Sequence, residues 1–285
     1  MKFAFIAENA SLGVSRLAKT LGVSRGGFYA WQTRGPSRRA VEDDRLRVLV
    51  KEAHLLGRRN YGSPRVHKAL ARQQVFISRK RVIRLMQQDG LVGRTRRRYR
   101  CTTMSDHEQP VAANLLEQDF SATAPNQRWV GDTTELAVPQ GRLFLAAIID
   151  LYSRMVVGWA LSAINDRHLV LKALDMALQR RVPDAGLVHH SDQGSTYASE
   201  DHRRLLEKRG ITCSMSRRGN CLDNAAMESW FSTLKSELGE HFDSPSEAKT
   251  KLFDYIEVFY NQQRMHSTIG YLSPGEFERN AGVAA

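Results

Sequence analysis

Cysteine is scarce in this chain, and long apolar runs are missing from it. Only Cys101, Cys213 and Cys221 occur among its 285 residues, and no two of them have the CxxC spacing of a structural zinc site. This usage favours a reducing cytoplasm over secretion. No stretch reaches the roughly 18 apolar residues of a transmembrane helix, and charge interrupts residues 1–8 too early for a signal peptide. We therefore expect a cytoplasmic protein that does not enter a membrane.

Acidic residues are scarce in the first 119 positions. That segment holds 24 Lys and Arg against 10 Asp and Glu, whereas residues 120–285 hold 18 against 20. Neutralising phosphates with Lys and Arg drives sequence-independent affinity for DNA. The alternative is a basic surface that only keeps the protein in solution. The run RTRRRYR at 94–100 is too dense for ordinary surface charge, so DNA binding is the favoured interpretation.

Residues 14–32 have the pattern of a helix, a tight turn and a second helix. Gly22 can adopt the left-handed conformation of the turn, and Ser24 can cap the helix that follows. Arg25 then lies in the first turn of a potential recognition helix, where base edges are usually contacted. A plain helical hairpin is the alternative for this segment.

A second helix-turn-helix pattern covers residues 63–90. Pro64 suits a first helical turn and Ser78 suits an N-cap. The second helix of this unit directs four cations outward that we expect to contact DNA: Arg79, Lys80, Arg81 and Arg84. We assign the same role to three residues of the basic linker 94–120: Arg96, Arg97 and Arg98. Both units can also contact another subunit, and together they define a helical DNA-binding region at 1–110.

Residues 121–285 have the pattern of a mixed sheet covered by helices. Three strands predicted in succession, 128–136, 143–151 and 155–161, form an antiparallel meander. Helical segments and short apolar strands then alternate, which is typical of an α/β fold. In the C-terminal helical tail an apolar face predicts core packing of Tyr255, Ile256, Phe259 and Tyr260.

Three carboxylates in this part suit metal-dependent phosphoryl transfer. Asp132 falls in the first strand, and Asp192 follows a short apolar strand. Glu228 begins a helix on which Lys235, two turns later, projects in nearly the same direction. Converging carboxylates repel one another, and two Mg²⁺ ions suit such oxygen ligands. Taken singly, each has an ordinary alternative role: a strand-end residue, an Asx turn, or a charge near a helix N-terminus.

The spacing of these carboxylates resembles a known motif. Between Asp132 and Asp192 lie 59 residues, and between Asp192 and Glu228 lie 35, similar to the DD(35)E motif of transposases and retroviral integrases. Short motifs around the carboxylates extend the resemblance over nearly the whole chain: WVGDTT (129–134), DLYSR (150–154), HSDQG (190–194), Asp-Asn-Ala (223–225), ESWFSTLK (228–235), and YN (260–261) with Arg264, His266 and Pro274. The chain resembles the second-frame (OrfB) transposases of bacterial insertion sequences in the insertion-sequence-three family.

This resemblance implies an RNase H-like core in which Asp132, Asp192 and Glu228 bind two Mg²⁺ or Mn²⁺ ions and Lys235 contacts DNA. It implies a DNA transposase that cleaves a strand at the element end and uses the freed 3′-hydroxyl to attack another strand. The implied partners are double-stranded DNA at the element ends and at the target, further copies of the chain on DNA, and an upstream first-frame product, often joined by ribosomal frameshifting.

Two other functions are compatible with parts of the sequence. A non-cutting DNA-binding regulator derived from a transposase would use the helix-turn-helix units without the carboxylates. An RNase H-like nuclease acting on RNA–DNA hybrids would use the carboxylates without DNA-reading units. Because the chain combines both features, the transposase is the favoured interpretation.

Overall fold

The computed structural model describes residues 1–94, 111–139, 141–217 and 220–282. Helices joined by short turns build the first of these ranges: α1 (Lys2–Glu8), a 3₁₀ helix (Ala10–Leu12), α2 (Val14–Thr20), α3 (Arg25–Thr33), α4 (Arg38–Leu56), α5 (Ser63–Arg72) and α6 (Arg79–Gln88). Across the described ranges, we find no helix with the length and apolarity of a membrane span.

The first three helices share a small core. Ile6 of α1, Ala18 of α2 and Phe28 of α3 are buried against one another. The turn between α2 and α3 has Gly22 at φ 61°, and the Ser24 side chain accepts a hydrogen bond from the backbone N–H of Gly27 at 2.9 Å. The predicted turn and cap are therefore present, and α1 adds a third helix that the sequence pattern does not predict.

Helix α4 lies between the two predicted helix-turn-helix units, and hydrophobic periodicity does not predict it. Its first half consists mainly of charged residues, and its N-terminus is set by Ser37, which accepts from the backbone N–H of Ala40 at 3.2 Å. Its second half packs on α5 and α6 through one buried cluster: Leu46, Val50, Ala53, Val66, Leu70, Val82, Leu85 and Met86. Ser78 caps α6 as predicted, by accepting from the N–H of Arg81 at 3.2 Å.

Residues 128–215 contain a five-stranded sheet with the strand order β3-β2-β1-β4-β5. The strands are β1 (Arg128–Val138), β2 (Gly141–Asp150), β3 (Val156–Ser162), β4 (Val188–Ser191) and β5 (Thr212–Met215). β1, β2 and β3 pair antiparallel, which is the predicted meander, and β4 and β5 add parallel strands beside β1. This is the mixed sheet of an RNase H-like core, and the predicted fold class is confirmed.

Helices pack on both faces of the sheet. They are α7 (Arg167–Arg181), α8 (Glu200–Lys208), a 3₁₀ turn (Cys221–Asn224), α9 (Ala225–Glu237), α10 (Pro245–Phe253) with a π-helical continuation (Asp254–Tyr260), a 3₁₀ turn (Ser267–Ile269) and α11 (Pro274–Asn280). In β2, Ala146 and Ile148 pack with α7, whereas Leu145 and Ala147 belong to the cluster that contains α9. Burial on both faces explains why β2 is a continuous apolar run.

The C-terminal tail joins the front helices to the sheet. Its predicted apolar face is buried in the same cluster as α4–α6 and β2: Tyr255, Ile256, Phe259 and Tyr260. The Asn261 side chain bonds both the N–H and the carbonyl of Val156, at 3.0 Å each, where β3 begins. Arg58 of the front region forms an ion pair with Asp254. The front helices and the sheet therefore share one core, through the tail.

Candidate active site

Two of the predicted carboxylates lie beside each other, one on β1 and one directly after the neighbouring strand β4. In the parallel pairing of β1 with β4, Val130 is opposite His190, and Asp132 and Asp192 each follow that pair by two residues. Adjacent strands are about 4.8 Å apart. Asp192 lies in the turn after β4, where its Oδ1 accepts from the backbone N–H of Gly194 at 3.0 Å. The Asx turn proposed as its ordinary role is present, and it leaves the carboxylate next to Asp132.

Asp132 is held by one backbone donor and one side-chain donor. Its Oδ1 accepts from the N–H of Thr133 at 2.7 Å, and its Oδ2 accepts from Nδ2 of Asn224 at 3.0 Å. Burial raises the pKa of Asp132 well above its usual value, and the negative charges of Asp192 and Glu228 raise this pKa further. A cation among these oxygens would counteract both causes of the shift, so the donor set fits a divalent metal.

Glu228 lies in the first turn of α9, near enough to Asp132 for its charge to raise the pKa of that aspartate. Its side chain is exposed, and the burial of part of it raises its pKa. The charge of Glu228 acts on Asp132 less strongly than that of Asp192 does. Within the described ranges, no group of three His, Cys, Asp or Glu side chains is close enough to share a metal ion. The aspartates thus form the inner pair, and Glu228 lies at its margin.

The 3₁₀ turn before α9 contains Asp223 and Asn224. Both belong to the motif Asp-Asn-Ala at 223–225, but the sequence does not reveal their roles. Asn224 is buried and supplies the hydrogen bond to the β1 aspartate. Asp223 is fully buried and accepts from the backbone N–H, Nε and Nη2 of Arg217, each at 2.9 Å. The side-chain amides of Asn114 and Gln118 donate to it at 3.0 and 3.1 Å. The Arg217 guanidinium holds the pKa of Asp223 below its usual range.

A cluster of buried rings packs against β1 next to the aspartate. The centroid of the His189 ring lies 6.3 Å from that of Tyr197 and 5.3 Å from that of His202. Burial holds the pKa of His189 well below its usual value and lowers that of His202 to about 4, so both rings are neutral at pH 7. A Cβ at Gly131 would lie 3.0 Å from Nε2 of His189. Glycine therefore lets β1 approach this cluster closely.

The cations assigned to DNA contacts differ in their surroundings. Three are exposed at the starts of α3 and α6: Arg25, Arg79 and Lys80. Arg81 and Arg84 instead bond the carboxylate of Asp43 on α4, at 2.8 and 2.6 Å, and Arg81 also bonds Glu42 at 2.8 Å. These two cations therefore already join α6 to α4. Three further residues lie outside the described ranges: Arg96, Arg97 and Arg98.

Lys235 lies two helical turns after Glu228 on α9. Its side chain is 15% exposed, and its Nζ is 3.7 Å from a carboxylate oxygen of Glu240. The lysine is thus mostly covered by protein, and its contact with DNA stays a prediction.

Arg264, a motif residue of the C-terminal tail, forms an ion pair with Glu237 at the C-terminal end of α9. Nε and Nη2 of Arg264 donate to the two carboxylate oxygens of Glu237 at 2.8 Å each, and both side chains are almost fully buried. The Tyr255 hydroxyl donates to the same carboxylate at 2.9 Å. Nη1 of Arg264 lies 3.0 Å from Nε2 of His266. A buried ion pair therefore fixes the C-terminal end of the helix that carries Glu228.

Comparisons with known proteins agree with this architecture. Sequence profiles described as integrase core domain match residues 122–221 and 209–274, and one described as HTH-like domain matches residues 42–99. The insertion element IS600 uncharacterized 31 kDa protein of Shigella sonnei is 44% identical over 263 residues, which cover 92% of this chain and 97% of that protein. Transposase InsF for insertion sequence IS3A of Escherichia coli (strain K12) is 38% identical over 284 residues, 98% of each chain.

Two solved structures are similar in part. The HTLV-2 integrase catalytic core domain in complex with magnesium has 14% identity and a TM-score of 0.43, covering 55% of this chain and 99% of that one. The simian T-cell lymphotropic virus intasome in complex with a PP2A regulatory subunit has 14% identity and a TM-score of 0.47, covering 74% and 69%.

The sheet, the carboxylates and the profile matches define a protein with an integrase core behind a helix-turn-helix-like region. The 38% sequence identity to InsF over almost the entire length of both chains shows which family within this class the chain belongs to. The chain belongs to the insertion-sequence transposases of the IS3 family.

Proposed function

We propose that this chain is the transposase of an insertion sequence and that it cleaves and joins DNA strands at the carboxylate site. The supporting observation is the register of β1 and β4, in which Asp132 lies beside Asp192 while Glu228 acts electrostatically on the same group. Family membership supports the reaction class, and the basic front region with its HTH-like match supports DNA as the substrate.

Asp132, Asp192 and Glu228 are the residues that would hold two Mg²⁺ or Mn²⁺ ions. Carboxylate oxygens are ligands that Mg²⁺ prefers. Burial raises the pKa of Asp132 most, and the charges of Asp192 and Glu228 add a repulsion that a divalent cation relieves. When bound, two such metal ions would stabilise the attacking and leaving oxygens of an in-line displacement. Water and then the freed 3′-hydroxyl serve as nucleophiles, so the chain needs no nucleophilic side chain.

The other residues of the site hold α9 in place. Asn224 bonds Asp132 at the start of the helix, and the Asp223–Arg217 pair fixes the turn before it. The Glu237–Arg264 pair fixes the other end. With both ends fixed, Glu228 stays within reach of the aspartates, and positioning of this kind supplies much of the rate in phosphoryl transfer.

The proposed partner is DNA, at the element ends and at the target. The proposed location of the protein is the cytoplasm. The exposed cations of α3 and α6 and the basic linker 94–120 would contact its phosphates, whereas Arg81 and Arg84 would do so only after release from Asp43. Holding two element ends together requires at least two copies of the chain, and an upstream first-frame product is a further proposed partner. We propose 1–110 as the DNA-binding region and 121–285 as the catalytic core with its tail.

The test is strand transfer with a DNA fragment that carries the flanks of the chain's own gene, with Mg²⁺ or Mn²⁺ present. Asp192→Asn should abolish metal-dependent transfer but leave DNA binding intact. Asp175→Asn, an exposed change on α7, is the matched control and should keep activity. Full metal-dependent transfer by Asp192→Asn would contradict the proposal. Binding without cutting by both the wild type and its fusion to the upstream frame would favour the non-cutting regulator.

A further inference from the structure

A basic pocket lies on the side of α9 away from Glu228. It has a volume of about 120 Å³ and is lined by residues of the front helices, the β2–β3 turn, α9 and the tail, among them Arg65, Arg154, Arg264, Ser267 and Thr268. Its α9 members, which include Ser229, Trp230 and Thr233, recur at helical spacing and form one face, which differs from the face of Glu228 and Lys235. The three carboxylates of the site do not line this pocket, whereas Arg264 and His266, which hold the end of α9, do.

The pocket contains two arginines, Arg65 and Arg154, that form no ion pair within the described ranges. Arg264 is neutralised by Glu237. Arg65 donates to the carbonyl oxygen of Met265 at 3.0 Å, and Arg154 donates to that of Phe120 at 3.1 Å. Within the ranges that the structure describes, neither arginine has a carboxylate partner. Carbonyl oxygens satisfy a hydrogen bond but do not cancel a charge, so two half-buried guanidinium groups lack a direct counter-ion, and Glu237 and Asp150 act on them only from beyond ion-pair distance.

The electrostatics are unfavourable at Arg65, and the backbone conformation is unfavourable at Arg154. Burial lowers the pKa of Arg65, and the positive charge of Arg264 lowers it further, so like charges face each other across the pocket. Arg154 has φ 65°, a left-handed conformation that is costly for a residue with a long side chain and that eight other non-glycine residues of the described ranges share. The conformation is held by its N–H, which donates to the Asp150 carbonyl at 2.8 Å, and by its carbonyl, which accepts from the Tyr260 hydroxyl at 3.1 Å.

Neutral hydrogen-bond donors complete the lining. The hydroxyls of Ser229, Ser267 and Thr268 border the pocket and have no partner among the described residues. Ser267 and Thr268 are exposed, so they mark the side open to solvent. Guanidinium forks with added hydroxyl donors are the groups that bind the tetrahedral oxygens of a phosphate. A water molecule occupies about 30 Å³ of liquid, so the pocket has room for a group of several atoms.

We propose that this pocket binds a phosphate group of the DNA backbone, at a second contact separate from the carboxylate site. This inference rests on the proposed function, because it takes DNA as the source of the phosphate. The pocket joins the front helices, through Arg65, to the helix that carries Glu228. A phosphate bound there therefore couples DNA binding by the front region to the position of α9.

The test is the salt dependence of DNA binding by the full chain. Affinity for a duplex carrying the gene's flanks is measured by fluorescence anisotropy at several KCl concentrations. Each phosphate contact contributes about 0.9 to the slope of log affinity against log salt. Arg65→Gln should lower the slope by about that amount and weaken binding roughly fivefold at moderate salt. The matched control is Arg204→Gln, which removes the same charge from an exposed position on α8 and should leave the slope unchanged.

A second variant tests the pocket without replacing Arg65, so a folding defect of Arg65→Gln does not confound the result. Ser267→Asp adds a negative charge at the exposed rim and should reproduce the loss, whereas Ser267→Ala should not. Unchanged slopes in both Arg65→Gln and Ser267→Asp, or an equal loss in Arg204→Gln, would overturn the inference. If inorganic phosphate raises the melting temperature of the wild type but not of Arg65→Gln while the DNA slopes agree, free phosphate is the ligand and DNA is excluded.

Failure of the pocket can be told apart from failure of the proposed function. Asp192→Asn should keep the full salt slope and lose strand cleavage. Cleavage by that variant would contradict the proposed function and leave the pocket result standing. Unchanged slopes in Arg65→Gln and Ser267→Asp, alongside cleavage by the wild type only, would contradict the pocket alone.

Discussion

Replacing Asp223 by Asn tests whether a buried charge fixes the turn before α9. The carboxylate accepts five hydrogen bonds, three from Arg217 and one each from Asn114 and Gln118. Asparagine has nearly the same shape, but one acceptor oxygen becomes an NH₂ donor that faces other donors. Hydrogen bonds to charged groups are worth about 1.5–3 kcal/mol each. Arg217 is 60% exposed, and solvent weakens its share.

We therefore expect a net loss of about 3 kcal/mol from Asp223→Asn. In a domain of 150–250 residues this lowers the melting temperature by about 6–12 °C. Strand cleavage should fall at least about tenfold, because the start of α9 loses its anchor and Glu228 loses its position. Affinity for DNA should not change.

The pH dependence of this variant has a defined sign. Arg217 lowers the pKa of Asp223 in the folded protein. A carboxyl with a lowered folded pKa contributes stability above its unfolded pKa, near 3.9, and loses it as pH falls through the folded value. The gap in melting temperature between wild type and Asp223→Asn is thus largest near pH 7 and shrinks below about pH 4. A variant that melts within about 2 °C of wild type at pH 7 would refute the reasoning.

Three further predictions follow from burial and close contact. Arg264→Met should cost about 3–5 kcal/mol in thermal or urea unfolding because it leaves the Glu237 carboxylate buried and unpaired, and the double variant Arg264→Met/Glu237→Met should recover most of the loss. Gly158→Ala should cost about 1–3 kcal/mol, because the added Cβ would lie 2.2 Å from the carbonyl oxygen of Ala173. Metal-free wild type should lose stability as pH rises through the raised pKa of Asp132, and Asp132→Asn should melt higher without metal and no longer respond to millimolar Mg²⁺. Equal responses of wild type and Asp132→Asn to Mg²⁺ would count against the metal assignment.

Features set by local chemistry could be predicted from the sequence. Ser24 and Ser78 cap helices because a hydroxyl before a helix satisfies free amides, and no distant residue alters that. The meander and the placement of Asp132 on β1 follow from strand content and turn residues alone. The mixed sheet covered by helices was predictable for the same reason, whereas its RNase H-like class was implied by the resemblance of the motifs to insertion-sequence transposases.

Features set by distant partners could not be predicted. The first half of α4 is mainly charged, so it lacks the apolar periodicity that predicts a helix. Its Asp43 accepts hydrogen bonds from Arg81 and Arg84, which lie 38 and 41 residues later in the sequence. The pairing of Glu237 with Arg264 spans 27 residues, so only the folded tail brings the two together. The hydrogen bond from Asn224 to Asp132 spans 92 residues. Residue types in the sequence show that such groups need partners, but not which partners they find.

The central claim is that Glu228 completes a metal site with the two aspartates. The most direct measurement is single-turnover 3′-end nicking of a DNA fragment carrying the gene's flanks, with Mg²⁺ or Mn²⁺, by wild type and Glu228→Gln. Glutamine keeps the shape of the side chain and removes its charge, and Glu228 is exposed, so folding should not change. The account predicts a rate at least about a hundredfold lower in the variant, with unchanged DNA affinity. Nicking at the wild-type rate by Glu228→Gln would contradict it.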